Sequence, residues 1–161
     1  MNRRSILISA ATTVAGPLLH AADASAQTSS DIEAIKAANQ AFYTALSARD
    51  VKAMVALWAN KPYVVNIGPR SKTIAVGYAD AVSRYWPAAF DSFSEMAVSP
   101  ASIDQIQTDG KLAWVIGTER AVLQPSGGGE ALKFDTFFTN IFEKDGKRWL
   151  LISHHAQVIP K

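Results

Sequence analysis

Between Asp31 and Ala48 the apolar residues Ile32, Ile35, Ala38, Phe42 and Leu46 recur at intervals of three and four. That spacing gathers them on one face of an α-helix. Ser30-Asp31-Ile32-Glu33 reads as a capping box at its start, with Ser30 capping the Glu33 amide while Glu33 reaches back. Arg49-Asp50 breaks the pattern, and Asp50 is placed to cap a shorter helix that buries Met54, Leu57 and Trp58 and ends at Pro62. Tyr63-Val64-Val65-Asn66-Ile67 then reads as a short strand closed by Gly68-Pro69. Val82, Tyr85, Trp86, Ala89 and Phe90 mark a third helix, and Pro87 inside it is expected to kink or shorten it.

Beyond residue 95 the period changes. Strand-like runs lie around 95–107, 111–123, 131–143 and 148–158, separated by Asp109-Gly110, Pro125 to Gly129, and Asp145-Gly146. All three separators have the turn chemistry of antiparallel hairpins. Helices first and a meander of strands afterwards predict an α+β domain with helices on one sheet face. Gly127-Gly128-Gly129 precedes no helix, so it reads as a hairpin loop and not as a phosphate cradle.

Residues 1–26 read separately, as an export signal. Met1-Asn2-Arg3-Arg4 is a positive leader, Ile6 to Leu19 an apolar stretch, and Ala24-Ser25-Ala26 a small-x-small cleavage pattern. Arg3-Arg4 followed by Ser5-Ile6-Leu7 resembles a twin-arginine signal, with general secretion as the alternative. Gly16-Pro17 and His20 interrupt a run already too short to span a bilayer, so no membrane anchor is expected. The expected product is a periplasmic or secreted bacterial protein whose single domain covers residues 27–161.

Composition narrows the chemistry. With 48% hydrophobic and 19% charged residues, the chain of 161 can build one sizeable core. Sixteen basic against fourteen acidic residues, scattered along the chain, make no stripe for nucleic acid. The absence of cysteine excludes disulfides, thiolate zinc sites and cysteine nucleophiles. Past the signal the histidines are His154 and His155, and adjacent strand residues point to opposite faces, so the pair cannot chelate one metal. Neither a metal nor a cofactor is expected.

Several segments in order resemble the nuclear transport factor 2-like superfamily, in its ketosteroid isomerase-like and SnoaL-like branch. They are Ala45-Leu46-Ser47-Ala48-Arg49-Asp50, Met54-Val55-Ala56-Leu57-Trp58, and Gly77 leading to Tyr85-Trp86. Leu112-Ala113-Trp114-Val115 and Asp145-Gly146-Lys147-Arg148-Trp149, followed by His155, complete the set. The resemblance implies a cone-shaped barrel of three N-terminal helices packed in a curved antiparallel sheet, a pocket inside it, and a dimer through the outer sheet face. Function does not follow from such a fold.

Ketosteroid isomerases combine a carboxylate base, a tyrosine and a protonated aspartic acid. In this chain those positions fall on Asn66, Phe42 and Phe138. An amide takes no proton near neutral pH, and phenyl rings donate no hydrogen bond. Steroid isomerase chemistry is therefore not expected.

If Val64 and Asn66 face inward, strand alternation turns in Trp114, Ile116, Thr118 and Arg120, then Thr136, Phe138 and Asn140, then Leu151, Ser153 and His155. His155 becomes the candidate catalytic acid or base, or else a hydrogen-bonded structural histidine. An inward Arg120 needs an anion, which favours a carboxylate-bearing ligand, unless its stem snorkels to the rim. Trp86 matches a pocket aromatic of the family. The expected ligand-binding set is thus Asn66, Trp86, Trp114, Arg120, Phe138, Asn140 and Ser153. Glu119 and Asp135 fall on the opposite parity, as solvated or interface charges.

The leading expectation is an exported pocket protein for a small, mostly apolar organic molecule bearing a carboxylate or carbonyl. One alternative is a cofactor-independent lyase, isomerase or hydrolase using His155. The other is a non-catalytic dimeric interaction module. A homodimer is expected because Val115, Phe137, Ile141 and Ile152 would otherwise face water, with His154 beside them.

Overall fold

The computed structural model describes the backbone of residues 17–160, with side chains from residue 28. Most of the expected export signal lies outside the described residues. Helix α1 (Pro17–Ala48) is followed by α2 (Val51–Ala56), β1 (Val65–Ile67) and β2 (Ala75–Val76). A π-helix over Ala79–Arg84 runs into α3 (Tyr85–Asp91). Four long strands complete the chain: β3 (Phe93–Thr108), β4 (Leu112–Pro125), β5 (Leu132–Asp145) and β6 (Arg148–Val158).

The residues before Ser30 contain no helix breaker after Pro17, so α1 continues through the expected capping box. Glu33 instead binds Lys36 Nζ at 2.7 Å. Asp50 does cap α2, its Oδ1 accepting from the Ala53 amide at 2.9 Å. The third helix begins as a π-helix and becomes α-helical only at Tyr85, ahead of Pro87. Pro87 thus lies in the first turn of α3, where an amide hydrogen is least needed.

The strands form one six-stranded sheet in the order β2-β1-β6-β5-β4-β3. β3 to β6 are the expected antiparallel meander, whereas β1 adds to β6 in parallel. The expected cone-shaped barrel is not formed. Among the described residues β2 pairs only with β1 and β3 only with β4, so both edges stay open and the sheet is neither closed nor strongly curled. The physical reason is the shortness of β2: two residues cannot zip to a sixteen-residue edge strand. The helices cover one face instead.

Ile35, Phe42 and Leu46 from α1 and Met54 from α2 are buried against Val115, Phe138, Phe142 and Leu151 from the sheet. Burying each such side chain contributes about 1.5–3 kcal/mol. Polar contacts fix α1 as well: Lys144 Nζ reaches the buried Asp31 at 2.6 Å.

Two register features decide which residues face the helices. Along β4–β5 every odd residue pairs with an even one, as in Gly117 with Phe138 and Glu119 with Thr136. Paired residues share a face. With Phe138 and Asn140 inward, β4 therefore turns in Ala113, Val115, Gly117, Glu119 and Ala121, the opposite of the expected set. In β6 the ladder skips a residue: Phe142 pairs with Leu151 but Ile141 with Ser153. Ile152 is the extra residue of this bulge. Trp149 and Leu151 point inward before it, and His154 and Ala156 after it.

The bulge sits where β6 changes partners. Leu151 is held by the carbonyl of Leu57 (2.8 Å) and the amide of Ala59 (3.0 Å), whereas Ser153 to His155 pair with β1.

Candidate functional site

Between α3 and the sheet lies a cavity of about 380 Å³. Its walls are largely apolar, with Leu46, Phe93, Met96, Ala121, Leu123 and Phe134 among them. Trp86 and Tyr85 of α3 line it, together with the exposed Arg70 and Ser71 in the β1–β2 connection. The π-helix widens the chain just before Tyr85-Trp86 and so sets these two rings against the cavity. Tyr85 is locked at Gly68, where an added Cβ would lie 2.1 Å from its Oη.

Two buried titratable side chains line this cavity, Glu119 from β4 and His154 from β6. The imidazole of His154 stacks near Phe42 (centroids 4.9 Å) and Trp86 (6.4 Å). Its Nδ1 lies 2.7 Å from Asn140 Oδ1, and Asn140 Nδ2 donates to Asn39 Oδ1 at 2.8 Å. Burial, helped by neighbouring His155, holds its pKa down at about 3. His154 is therefore neutral at physiological pH.

Glu119 is shifted the other way. Burial pushes its carboxyl up, while Thr136 and Tyr43 moderate the rise. Thr136 Oγ1 donates to Oε1 at 2.8 Å, and Oε2 is buried with no hydrogen-bond partner among the described residues. Tyr43 on α1 lies beside Glu119 and Asn140, its own pKa raised by burial and by the Glu119 charge. Its hydroxyl makes no hydrogen bond of full geometry among the described residues. Opposed pKa displacements in one cavity are the arrangement acid–base chemistry uses.

The residues singled out from sequence distribute unevenly around this site. Trp86 lines the cavity, and Asn140 stands behind His154. Asn66 is buried, its Nδ2 donating to Ala81 O at 3.1 Å while Oδ1 has no partner among the described residues. Phe138 is buried against Tyr43 in the core. The remaining four belong to the outer face or its margin. His155 is exposed, Trp114 is 39% exposed and Ser153 is half-buried. Arg120 is exposed and pairs with Asp135 through Nε (2.9 Å) and Nη2 (3.3 Å), so it does not reach the cavity.

Glu119, His154, Tyr43 and Tyr85 were missed. For Glu119 a signal was available: its strand face carries Ala113, Val115, Gly117 and Ala121, small residues suited to a close helix layer. For His154 there was none, because the bulge at Ile152 depends on pairing partners distant in sequence. Among the described residues no three His, Asp or Glu side chains converge as a metal site.

Comparison with known proteins gives consistent results. The SnoaL-like domain model matches residues 35–160. The F-box protein SKIP8 of Arabidopsis thaliana is 31% identical over 131 residues, covering 78% of this chain and 50% of that protein. The chain thus spans about half the length of this curated relative. A solved NTF2-like family protein from Streptomyces avermitilis superposes with TM-score 0.72 at 23% identity, over 83% of this chain and 99% of that one. A ketosteroid isomerase-like protein from Erwinia carotovora atroseptica gives 0.68 at 20% identity, over 81% and 98%. At these identities the two structures attest to the fold alone.

Proposed function

The chain belongs to the SnoaL-like domain family, and on that footing we propose that its cavity binds a small, mostly apolar organic molecule. The observation that carries this reading is the cavity itself, apolar in its walls and polar at Glu119 and His154. Its size falls in the range that suits small organic ligands. The expectation of a carboxylate rested on an inward Arg120, which pairs outside with Asp135, so a carbonyl-bearing ligand is the better match. The protein acts as a homodimer through the outer sheet face and is exported by the signal in residues 1–26. Steroid isomerisation is excluded from the proposal by Asn66, Phe42 and Phe138, which cannot act as base or oxyanion donors.

A neutral apolar fluorophore, N-phenyl-1-naphthylamine, tests the reading. Its fluorescence should rise on binding, and Ala121→Trp, which fills the cavity wall, should abolish that rise. An unfilled, folded protein that leaves the dye dark would defeat the proposal. So would unchanged binding by the Ala121→Trp variant.

A second reading, a cofactor-independent acid–base enzyme, is favoured by the tautomer of His154. With Nδ1 engaged by Asn140, Nε2 is the remaining ring nitrogen and is unprotonated. His154, not the exposed His155, is then the candidate base. Deuterium exchange at the α-carbon of aromatic ketones, lost in His154→Ala and kept in His155→Ala, is the result expected of an enzyme.

A further inference from the structure

Asn66 ties the sheet beside His154 to the helix that lines the cavity. In β1 it pairs with His154 of β6, so the two side chains leave the sheet on one face. Its Nδ2 donates to Ala81 O at 3.1 Å, and Asn66, Ala81 and Val82 are all fully buried. Only the amino end of an amide can meet a carbonyl, so this contact fixes which way the side chain is turned.

Ala81 lies in the π-helix, where the α-helical partner of its carbonyl is withdrawn. In an α-helix Ala81 O would accept from the amide of Tyr85, four residues on. The Tyr85 amide instead bonds Val82 O, three residues back. Pro87 opposes a return to the α-register, because it has no amide to give Ser83 O and its ring crowds that carbonyl.

The wider turn decides which side chains meet the cavity. Ala81, Val82 and Trp86 are all buried. Five residues turn an α-helix by about 500°, which would set Ala81 and Trp86 about 140° apart. A π-turn brings residues i and i+5 to one side. Trp86 then lines the cavity with its ring centroid 6.4 Å from that of His154.

Building on the ligand-binding reading, we infer that Asn66 is a positioning residue for the cavity: its amide holds the π-turn and so keeps Tyr85 and Trp86 against the ligand. Without that donor the Ala81 carbonyl is buried and unpaired. The α-register, in which the Tyr85 amide satisfies it, is then favoured, and both rings turn away from their places. Only molecules that keep the π-register bind, so apparent affinity falls with their fraction.

Three measurements test this: N-phenyl-1-naphthylamine titration, near-ultraviolet circular dichroism and side-chain amide exchange by NMR. Asn66→Leu keeps the bulk and removes the donor, and should weaken dye binding by about tenfold. The circular dichroism bands of the Trp58–Trp86 pair, whose centroids lie 6.2 Å apart, should change with it. A role in stability alone would lower the melting temperature and leave both readouts unmoved in the folded protein. Pro87→Ala should weaken binding less. The two substitutions together should weaken it by more than the product of their separate effects, because both draw on one helix equilibrium. In the unmutated protein an Asn66 Nδ2 proton should exchange slowly with solvent, a readout that stands even where Asn66→Leu does not fold. Wild-type dye affinity and spectrum in Asn66→Leu, separate effects that simply multiply, or fast exchange at Asn66 would overturn the inference and leave the apolar binding site standing. Unmutated protein that leaves the dye dark would overturn the ligand-binding reading, and the spectrum and the exchange rate would still decide whether Asn66 holds the turn.

Discussion

His154 Nδ1 and Asn140 Oδ1 lie 2.7 Å apart on residues that pair directly across β5 and β6. Their contact exists only because a bulge lets a residue of the other parity turn inward. It ties a titratable ring to an amide whose other end is anchored on α1 through Asn39. Helix, central strand and bulged strand are thereby joined behind the cavity-lining His154.

The two cavity groups should give opposing pH dependences of stability. His154 is depressed from 6.5 to about 3 in the folded state, so the unfolded chain binds the extra proton between these values. Its contribution is complete above pH 6.5 and is lost as pH falls towards 3, with a slope of up to about 1.4 kcal/mol per pH unit. Glu119 is raised above 4.5, so its contribution is present below 4.5 and lost as pH rises above it. Urea unfolding from pH 3 to 8 should show acid lability relieved in His154→Gln. In Glu119→Gln the loss of stability towards neutral pH should diminish.

Gly117→Ala should destabilise the fold by about 1–3 kcal/mol or more. Its Cβ would lie 2.1 Å from the Ser102 carbonyl and 3.1 Å from the Phe138 ring. Bulges in β3 on either side of Ser102 and Ile103 bring that carbonyl over β4, and backbone cannot move aside cheaply. A melting temperature unchanged from wild type would contradict the close approach.

The outer sheet face should carry the dimer contact. Phe137 is 55% exposed and Trp114 39% on that face. Val115, expected there from sequence, is fully buried instead. Phe137→Glu should shift sedimentation from dimer to monomer without loss of fold. A wild-type protein that is monomeric at micromolar concentration would remove the basis for this interface.

Asn66→Asp should not create steroid isomerase activity. Phe42 and Phe138 occupy the donor positions and are both buried. Losing one oxyanion donor typically costs about 10²–10³ in rate, and here both are missing. Measurable conversion of a Δ5-3-ketosteroid by the variant would refute this.

Arg120→Ala should leave ligand binding unchanged. The guanidinium pairs with Asp135 in solvent, each holding the other's charge, away from the cavity. A weakened dye affinity in this variant would place Arg120 in the site after all.

The sequence by itself determined where most of the elements lie, but not the start of α1 at Pro17 or the two-residue β2. Helical spacing from Asp31 to Ala48, the cap at Asp50 and the turns at Asp109-Gly110 and Asp145-Gly146 are local, and the local backbone follows them. It also marked Trp86, Asn66 and Asn140 as buried, since their strand and helix faces are read within a few residues. Only the tertiary structure decided which face of β4 and of the end of β6 meets the helices. An alternating strand presents two self-consistent faces, and the choice rests on cross-strand register, which the β4–β5 pairing and the Ile152 bulge set through distant partners. Hence Glu119 and His154 face the cavity while Arg120 and His155 face water. The open sheet is decided in the same way, because closure depends on whether two edges far apart in sequence can meet, and a two-residue β2 cannot meet β3.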